Sequence, residues 1–505
     1  MKNLLLTFIL IIICGVCMAK TKIISSEPCE YRKVSCDWYG YQKWFREEIS
    51  YKQALEDLDM LVYLLKSSYA GYDDAVKHGL EIDNIIDLLK KSNDDGKNIK
   101  VANLSQFIYD FLKPCIQDSH FSIESKDFSR QLITQHRVLY SNIYVKKIND
   151  NFIVEKSDNQ DFQAGDNLEC KSENLFLYPL EEGCIYRIGT YATLSENEKQ
   201  ISVTCSGIEK QLLCNISNNY LASNNITTYK EIETEDSVYI YIPILMDLHN
   251  NDNRKKILDE NFEKLHSVSS RYLEKKNIIL DLRTNGGGNS LHTTKFLANL
   301  YFLERNYNEK NTWKNIKKIR KIKNYDNNRI DLISPPVQQA ETWLAKNVFS
   351  QEKYLKNEFN KRKKILNNKN LRITYSDQKK VTVKSTNPVF KGKLIILSGK
   401  NTCSSSEDTI LEAKALFSET KQYFQIGENT AGCYTYGNVW CYQLNNSGIA
   451  LHLPSFKNIN SEACPEGLGI APDYWAINED ILKVLVNITD DDELNEKLKG
   501  INNNL

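Results

Sequence analysis

The stretch KLIILSGKNTCSSSEDTI, residues 393–410, decides how this chain is read. Leu394 to Leu397 form a continuous apolar run, the mark of a strand covered on both faces. Small hydroxyl and thiol residues then lead into a segment where Ile410, Leu411 and Phe417 recur at helical spacing. A buried strand that turns and restarts as a helix is one step of an α/β layer. Ser404 stands at the step, three residues before Glu407, which is the S-x-x-E pattern of a capping box. The same position would present a hydroxyl to the positive end of a helix, where the negative charge of an acylation intermediate is favoured. Cap and nucleophile demand the same local structure, so the pattern leaves both open.

Working outward, NIILDL (277–282) reads as a second buried strand, and it runs into RTNGGGNS (283–290). Three glycines at a strand end leave backbone N–H groups unobstructed, as an oxyanion site requires, although a tight bend or a phosphate loop would use them equally. GxGxxG spacing and the P-loop Lys-Ser/Thr are both absent. The segment DSVYIYIPIL (236–245) and a helical pattern near 253–274 come before, completing a strand-helix-strand-helix rhythm. A Lys/Asn-rich insertion at about 301–390 interrupts it and reads as helical; its basic run Lys314 to Lys323 fits a solvated helix face. Residues 20–128 are expected to be mainly helical, on segments such as ALEDLDMLVYLLKSSY (54–69). Residues 129–222 shift to short Val/Ile/Tyr runs, a small β-rich domain, and 223–505 hold the α/β core. The expected fold class is therefore α/β (α+β) and multi-domain.

With 505 residues the chain can hold several proper cores, and 65 basic against 65 acidic residues give no field that would draw it to nucleic acid or an anionic membrane. The N-terminal MKNLLLTFILIIICGVCMAK carries one Lys, an apolar run and a small-residue end, which predicts a signal peptide cleaved after Ala19 and an exported protein. Its apolar run falls short of the roughly 20 residues a bilayer span needs, which favours a leader over an anchor. Of 13 cysteines, the 11 beyond the leader would meet an oxidising setting. Neighbours suggest Cys29–Cys36, Cys170–Cys184, Cys205–Cys214 and Cys433–Cys441 as bridges, and Cys403 could bond to Cys115 or Cys464. HExxH is absent, and no metal or other cofactor is expected.

Taken together, DLRTNGGG (281–288), LIILSGKNTCSSSE (394–407), IGENTAG (426–432) and EGLGIAPD (466–473) resemble, in order and spacing, the carboxy-terminal processing and tricorn-core family of serine peptidases. The likeness covers most of 230–300 and 390–475 and implies a ClpP/crotonase-like peptidase core with Ser404 at the nucleophile position. The turn DFQAGDNLECKS (161–172) looks like that of a PDZ domain, a module that binds extended peptide by adding a strand.

One departure is sharp. The processing-protease branch takes its base from a lysine in a T-x-G-K segment, and here that segment reads Thr430-Ala431-Gly432-Cys433. A Ser/Lys dyad is excluded. The tricorn-like branch instead pairs a Ser-His with a later glutamate, matching Ser119 and His120 in QDSHFSI and Glu466 in PEGLGIAPD. By this resemblance His120 is the base, Ser119 and Glu466 orient it, and the N–H groups of Ser405 and of Gly287 or Gly288 hold the oxyanion. Asp118 is an alternative orienter and His292 an alternative base. The implied partner is a polypeptide substrate, cut by a serine endopeptidase; the competing expectation is a silent, peptide-binding relative.

Overall fold

The apolar runs become adjacent strands of one six-stranded sheet in the computed structural model, which describes residues 21–28, 32–37, 44–92, 97–180, 183–216, 227–247, 253–302, 329–347, 360, 363–364, 371–377, 388–459 and 461–499. The strands are β1 (Lys230–Glu233), β2 (Ser237–Tyr241), β3 (Asn277–Asp281), β4 (Lys393–Ser398), β5 (Tyr423–Gly427) and β6 (Tyr474–Trp475), lying in that order, antiparallel only between β1 and β2. Alternation sends Ile278, Leu280, Leu394 and Ile396 to one face, against helices α1 (Asn253–Tyr272), α2 (Leu291–Tyr301) and α3 (Ser405–Phe417). Ile279, Ile395 and Leu397 point to the other, against α4 (Asn478–Thr489). Both faces are covered, which is why these strands carry no polar alternation.

A second sheet of eight strands supplies what the first cannot. Strand Ala450–Asn458 pairs antiparallel with Tyr436–Gln443 on one side, and its first residues pair with Asp118–Ser125, Leu451 opposite Ile123. Helix Tyr51–Ser68 lays Leu58, Leu61 and Leu65 on this sheet beside Trp440, Tyr442 and Leu453. The insertion is not wholly helical: besides helix Pro335–Asn347 it contributes strands Arg329–Ile333 and Leu371–Asp377, which join this sheet. The basic run Lys314 to Lys323 and the leader 1–19 lie outside the described residues.

The β-rich region is a seven-stranded sheet in which His136–Ile148 pairs with three neighbours, Gly183–Thr193, Ile208–Asn215 and Asn151–Ser157. Its GD turn, Gly165-Asp166, links Asn151–Ser157 to Asn167–Glu169. No helix among the described residues is long and apolar enough to cross a membrane.

The bridges Cys205–Cys214 and Cys433–Cys441 are not formed, and Cys115, Cys170, Cys403 and Cys464 are thiols as well. Register explains the first: Cys205 faces Ile208 and Cys214 faces Lys199 across the hairpin. Cys441 sits within a strand opposite His452, whereas the backbone N–H of Cys433 is held by Glu407. Cys29 and the side chains of Cys36 and Cys184 lie outside the described residues.

Asp57, fully buried, joins helix to sheet by accepting the N–H groups of Asn446 (2.9 Å) and Ser447 (2.7 Å) at the turn before Ala450–Asn458. Asp57→Ala leaves the buried Ser447 N–H and the half-buried Asn446 N–H without this acceptor. It should cost about 3 kcal/mol, read as a lower urea midpoint.

Candidate active site

Ser404 is placed by the end of β4. Thr402 Oγ1 donates to Leu282 O (2.7 Å) and accepts from Gly399 N–H, while Cys403 N–H donates to Asn285 O (3.1 Å), so the turn after β4 is tied to the turn after β3. Ser404 then adopts φ 57° and ψ −116° immediately before α3. A side chain at that φ is strained by about 1–3 kcal/mol, and such strain is held only where the surroundings over-determine it. Glu407 does much of this: its Oε2 accepts Ser404 N–H at 2.9 Å, the glutamate half of the expected capping box.

Glu407 does more than cap. It is buried and also accepts Thr430 Oγ1 (2.5 Å), Gly432 N–H (2.7 Å), Cys433 N–H (2.8 Å) and the Cys464 thiol (3.4 Å). Burial raises its carboxyl to about 6 despite these donors. The Thr430–Cys433 segment, where the sequence lacks the expected dyad lysine, is lashed to the Ser404 turn by this carboxylate. Cys433, in the lysine's place, hydrogen-bonds to Cys403, and that contact with burial pushes its thiol well above the ordinary value. It is no substitute base.

His120 reaches Ser404 from 284 residues away, with Nε2 at 3.0 Å from Oγ. Its strand, Asp118–Ser125, pairs Asp118 with Leu132 and then shifts register before Ser122. Such an irregularity re-aims side chains next to a site. Asp118 Oδ1 accepts His120 N–H at 2.8 Å. Burial lowers the imidazole to about 4, so at neutral pH it is uncharged and able to accept a proton.

Glu466 joins the cluster through Ser119, not through the ring. Its Oε1 accepts Ser119 N–H (2.9 Å) and Oγ–H (2.5 Å), and its Oε2 accepts Thr435 N–H (3.1 Å). Burial raises its carboxyl. Asp118 lies well above the carboxylate range through burial and the nearby Glu466. Neither Ser119 nor Glu466 hydrogen-bonds the imidazole, whose Nδ1 is buried without a partner.

The glycine turn arrives as expected, with one of its donors taken. Gly287 N–H donates to Asn285 Oδ1 (2.9 Å), and Gly287 O accepts Leu245 N–H (2.9 Å). Gly287 has φ +95°, and a Cβ there would meet Cys403 O at 2.7 Å, so only glycine lets the turn lie against Ser404. Gly288 and Ser405 keep N–H groups without an acceptor among the described residues, and Ser405 Oγ donates to Gly288 O (2.6 Å). Of the three oxyanion candidates, Gly288 and Ser405 remain available. His292 is occupied elsewhere: its Nε2 lies 2.8 Å from Asp247 Oδ1 and its ring stacks on Phe262.

Two groups, Cys403–Glu407–Cys433 and Asp118–His120–Glu466, bring ligand-type atoms within 4.8 Å of one another. In the first, both Glu407 oxygens already take several donors, which suits a hydrogen-bond hub better than a cation. The sequence marked Glu407 only as a cap; its hub role depends on residues 23 to 57 positions away and has no local signal.

Residues 239–476 match the sequence profile of peptidase family S41. Over these residues the chain is similar to peptidase family S41. Solved structures similar to this chain include mature CPAF complexed with lactacystin, at 15% identity over 90% of this chain and 99% of that one, with a TM-score of 0.40. The photosystem II D1 C-terminal processing protease is 12% identical over 87% of this chain and 96% of that one, TM-score 0.34. Tricorn protease is 15% identical over 89% of this chain and 37% of that one, TM-score 0.37. Comparison with curated proteins finds no match.

Glu407→Ala should unfix both sides of the site at once, orphaning the N–H groups of Ser404, Gly432 and Cys433. A loss of about 3 kcal/mol or more is expected, read as a lower thermal midpoint at pH 7.

Proposed function

We propose that this protein is an exported serine endopeptidase that cleaves accessible polypeptide by acyl transfer, with Ser404 as nucleophile and His120 as base. The observation that carries the reading is the 3.0 Å approach of His120 Nε2 to Ser404 Oγ at a strained strand-to-helix turn. A serine hydroxyl needs a base within hydrogen-bond reach, and this pair meets that condition without the lysine.

In the proposed reaction Ser404 Oγ attacks the scissile carbonyl while its proton passes to His120 Nε2. The carbonyl oxygen, now an oxyanion, is met by the N–H groups of Ser405, at the N-terminus of α3, and Gly288. His120 then returns the proton to the leaving amine, and water repeats the sequence on the acyl-enzyme. The seven-stranded region would present extended substrate through a sheet edge. Export rests on the leader-like residues 1–19.

Fluorophosphonate labelling separates this from a silent, peptide-binding relative. The wild type should label, Ser404→Ala should not, and His120→Ala should label roughly 10²–10⁴-fold more slowly. Labelling that persists in Ser404→Ala, or a folded wild type that never labels, would overturn the proposal.

The pH profile follows from the buried imidazole. A base works only when unprotonated, so the labelling rate should fall as pH drops through its pKa. With His120 lowered to about 4, the midpoint of that acid limb should lie below the 6.5 of a free imidazole. A limb centred above 6.5 would contradict a desolvated His120.

A further inference from the structure

Gly288 is one of the two backbone donors left for an oxyanion, and its direction is set from outside its own turn. Leu245 N–H donates to Gly287 O (2.9 Å) and Asn289 N–H donates to Leu245 O (2.8 Å), a parallel bridge that straddles Gly288. These bonds use the carbonyl before Gly288 and the N–H after it, so its own N–H and carbonyl turn away from Leu245. The carbonyl accepts Ser405 Oγ–H at 2.6 Å, which marks that side as the side of Ser404. The approach is close: a Cβ on Gly288 would meet Leu245 C at 2.3 Å. Two backbone bonds alone hold such a strip weakly.

Asp247, just past Leu245, carries the second grip. Its Oδ2 accepts Asn289 Nδ2–H at 2.7 Å, and its Oδ1 lies 2.8 Å from His292 Nε2. A carboxylate accepts, so the ring proton of His292 belongs on Nε2. Asn289 Oδ1 in turn accepts Leu291 N–H (3.0 Å), at the first turn of α2. The His292 ring stacks on Phe262 of α1 with centroids 3.7 Å apart, and that contact holds the imidazole towards the carboxylate. His292, an alternative base by sequence, is here a donor to Asp247.

We propose that Asp247 is a positioning residue for the oxyanion site: through Asn289 and His292 it clamps the strip 245–247 onto the 287–289 turn and so aims the Gly288 N–H at the carbonyl oxygen under attack by Ser404. The proposal rests on the acyl-transfer reading above and adds a residue to it. The turn is gripped from two sides. Cys403 O and the Ser404 side chain lie against Gly287, while Leu245 and Asp247 hold Gly288 and Asn289. An oxyanion donor is effective only when it is already aimed, since a donor that must reorient during the reaction adds that cost to the barrier. Asp247 acts through the turn and not on the reacting atoms.

Hydrogen exchange and labelling kinetics test this together. In Asp247→Ala, exchange should quicken in a peptide covering 284–292 and stay unchanged in one covering β4; acceleration throughout the chain would mean general destabilisation and overturn the proposal. At saturating fluorophosphonate the maximal labelling rate should fall roughly 10- to 100-fold with the half-saturating concentration little changed, because outright loss of an oxyanion donor costs about 10²- to 10³-fold. Asp247→Asn keeps one acceptor oxygen and should recover part of that rate, and it carries the test if Asp247→Ala does not fold. His292→Phe keeps a ring against Phe262, removes the donor, and should slow labelling in the same direction. Faster exchange at 284–292 with an unchanged labelling rate would leave the contact structural only and sink the positioning role. If the wild type never labels, the peptidase reading fails; the exchange comparison then stands alone, and unchanged exchange at 284–292 in Asp247→Ala would overturn the clamp itself.

Discussion

The arrangement around Ser404 depends on one buried carboxylate. Glu407 gathers N–H groups from Ser404, Gly432 and Cys433, the hydroxyl of Thr430 and the thiol of Cys464. A charge removed from water is tolerable only when its lone pairs are met, and here the donors come from three separate stretches of chain. Meeting that requirement draws the Ser404 turn, the segment after β5 and the segment before β6 into one cluster. The strained backbone of Ser404 is held by this cluster and by the close approach of Gly287.

The absence of the dyad lysine is answered by geometry from the second sheet. Strand Ala450–Asn458 pairs with the strand of His120, and its neighbour Tyr436–Gln443 begins next to Thr435, a donor to Glu466. The glycines of the 465–470 turn let it lie against the 430–432 segment: a Cβ on Gly469 would meet Thr430 O at 2.2 Å, and one on Gly432 would meet Gly467 N at 2.5 Å. Glu466 is carried in on that contact. Around Ser404 this chain buries the carboxyl groups of Asp118, Glu407 and, largely, Glu466 beside a neutral imidazole, and the Cys433 thiol lies against Cys403.

Those thiols show where counting residues misleads. Cysteines close in sequence suggested local bridges, yet strand register turns Cys205 and Cys214 to different partners, and Cys433 finds Cys403, thirty residues earlier. The insertion behaves similarly: its Lys/Asn-rich composition reads as a helical excursion, while Arg329–Ile333 and Leu371–Asp377 extend a sheet whose other members come from both ends of the chain.

The sequence by itself determined the central layer. Runs such as NIILDL and KLIILS can only be strands buried on both faces, and the elements that follow them carry helical spacing, so the α/β order and the place of Ser404 at a strand end were legible from short-range pattern. Resemblance singled out His120, Ser119 and Glu466, but the residue types alone could not say what each would touch. Only the tertiary structure decided that Glu466 serves Ser119 and not the imidazole, that the Gly287 N–H is taken by Asn285, and that Glu407 is a hub. The Glu466 and Glu407 contacts join groups distant in sequence, and the Gly287 contact, though only two residues long, depends on the packing of its turn against Cys403. Local propensity and periodicity, which is what a sequence displays, carry no record of either.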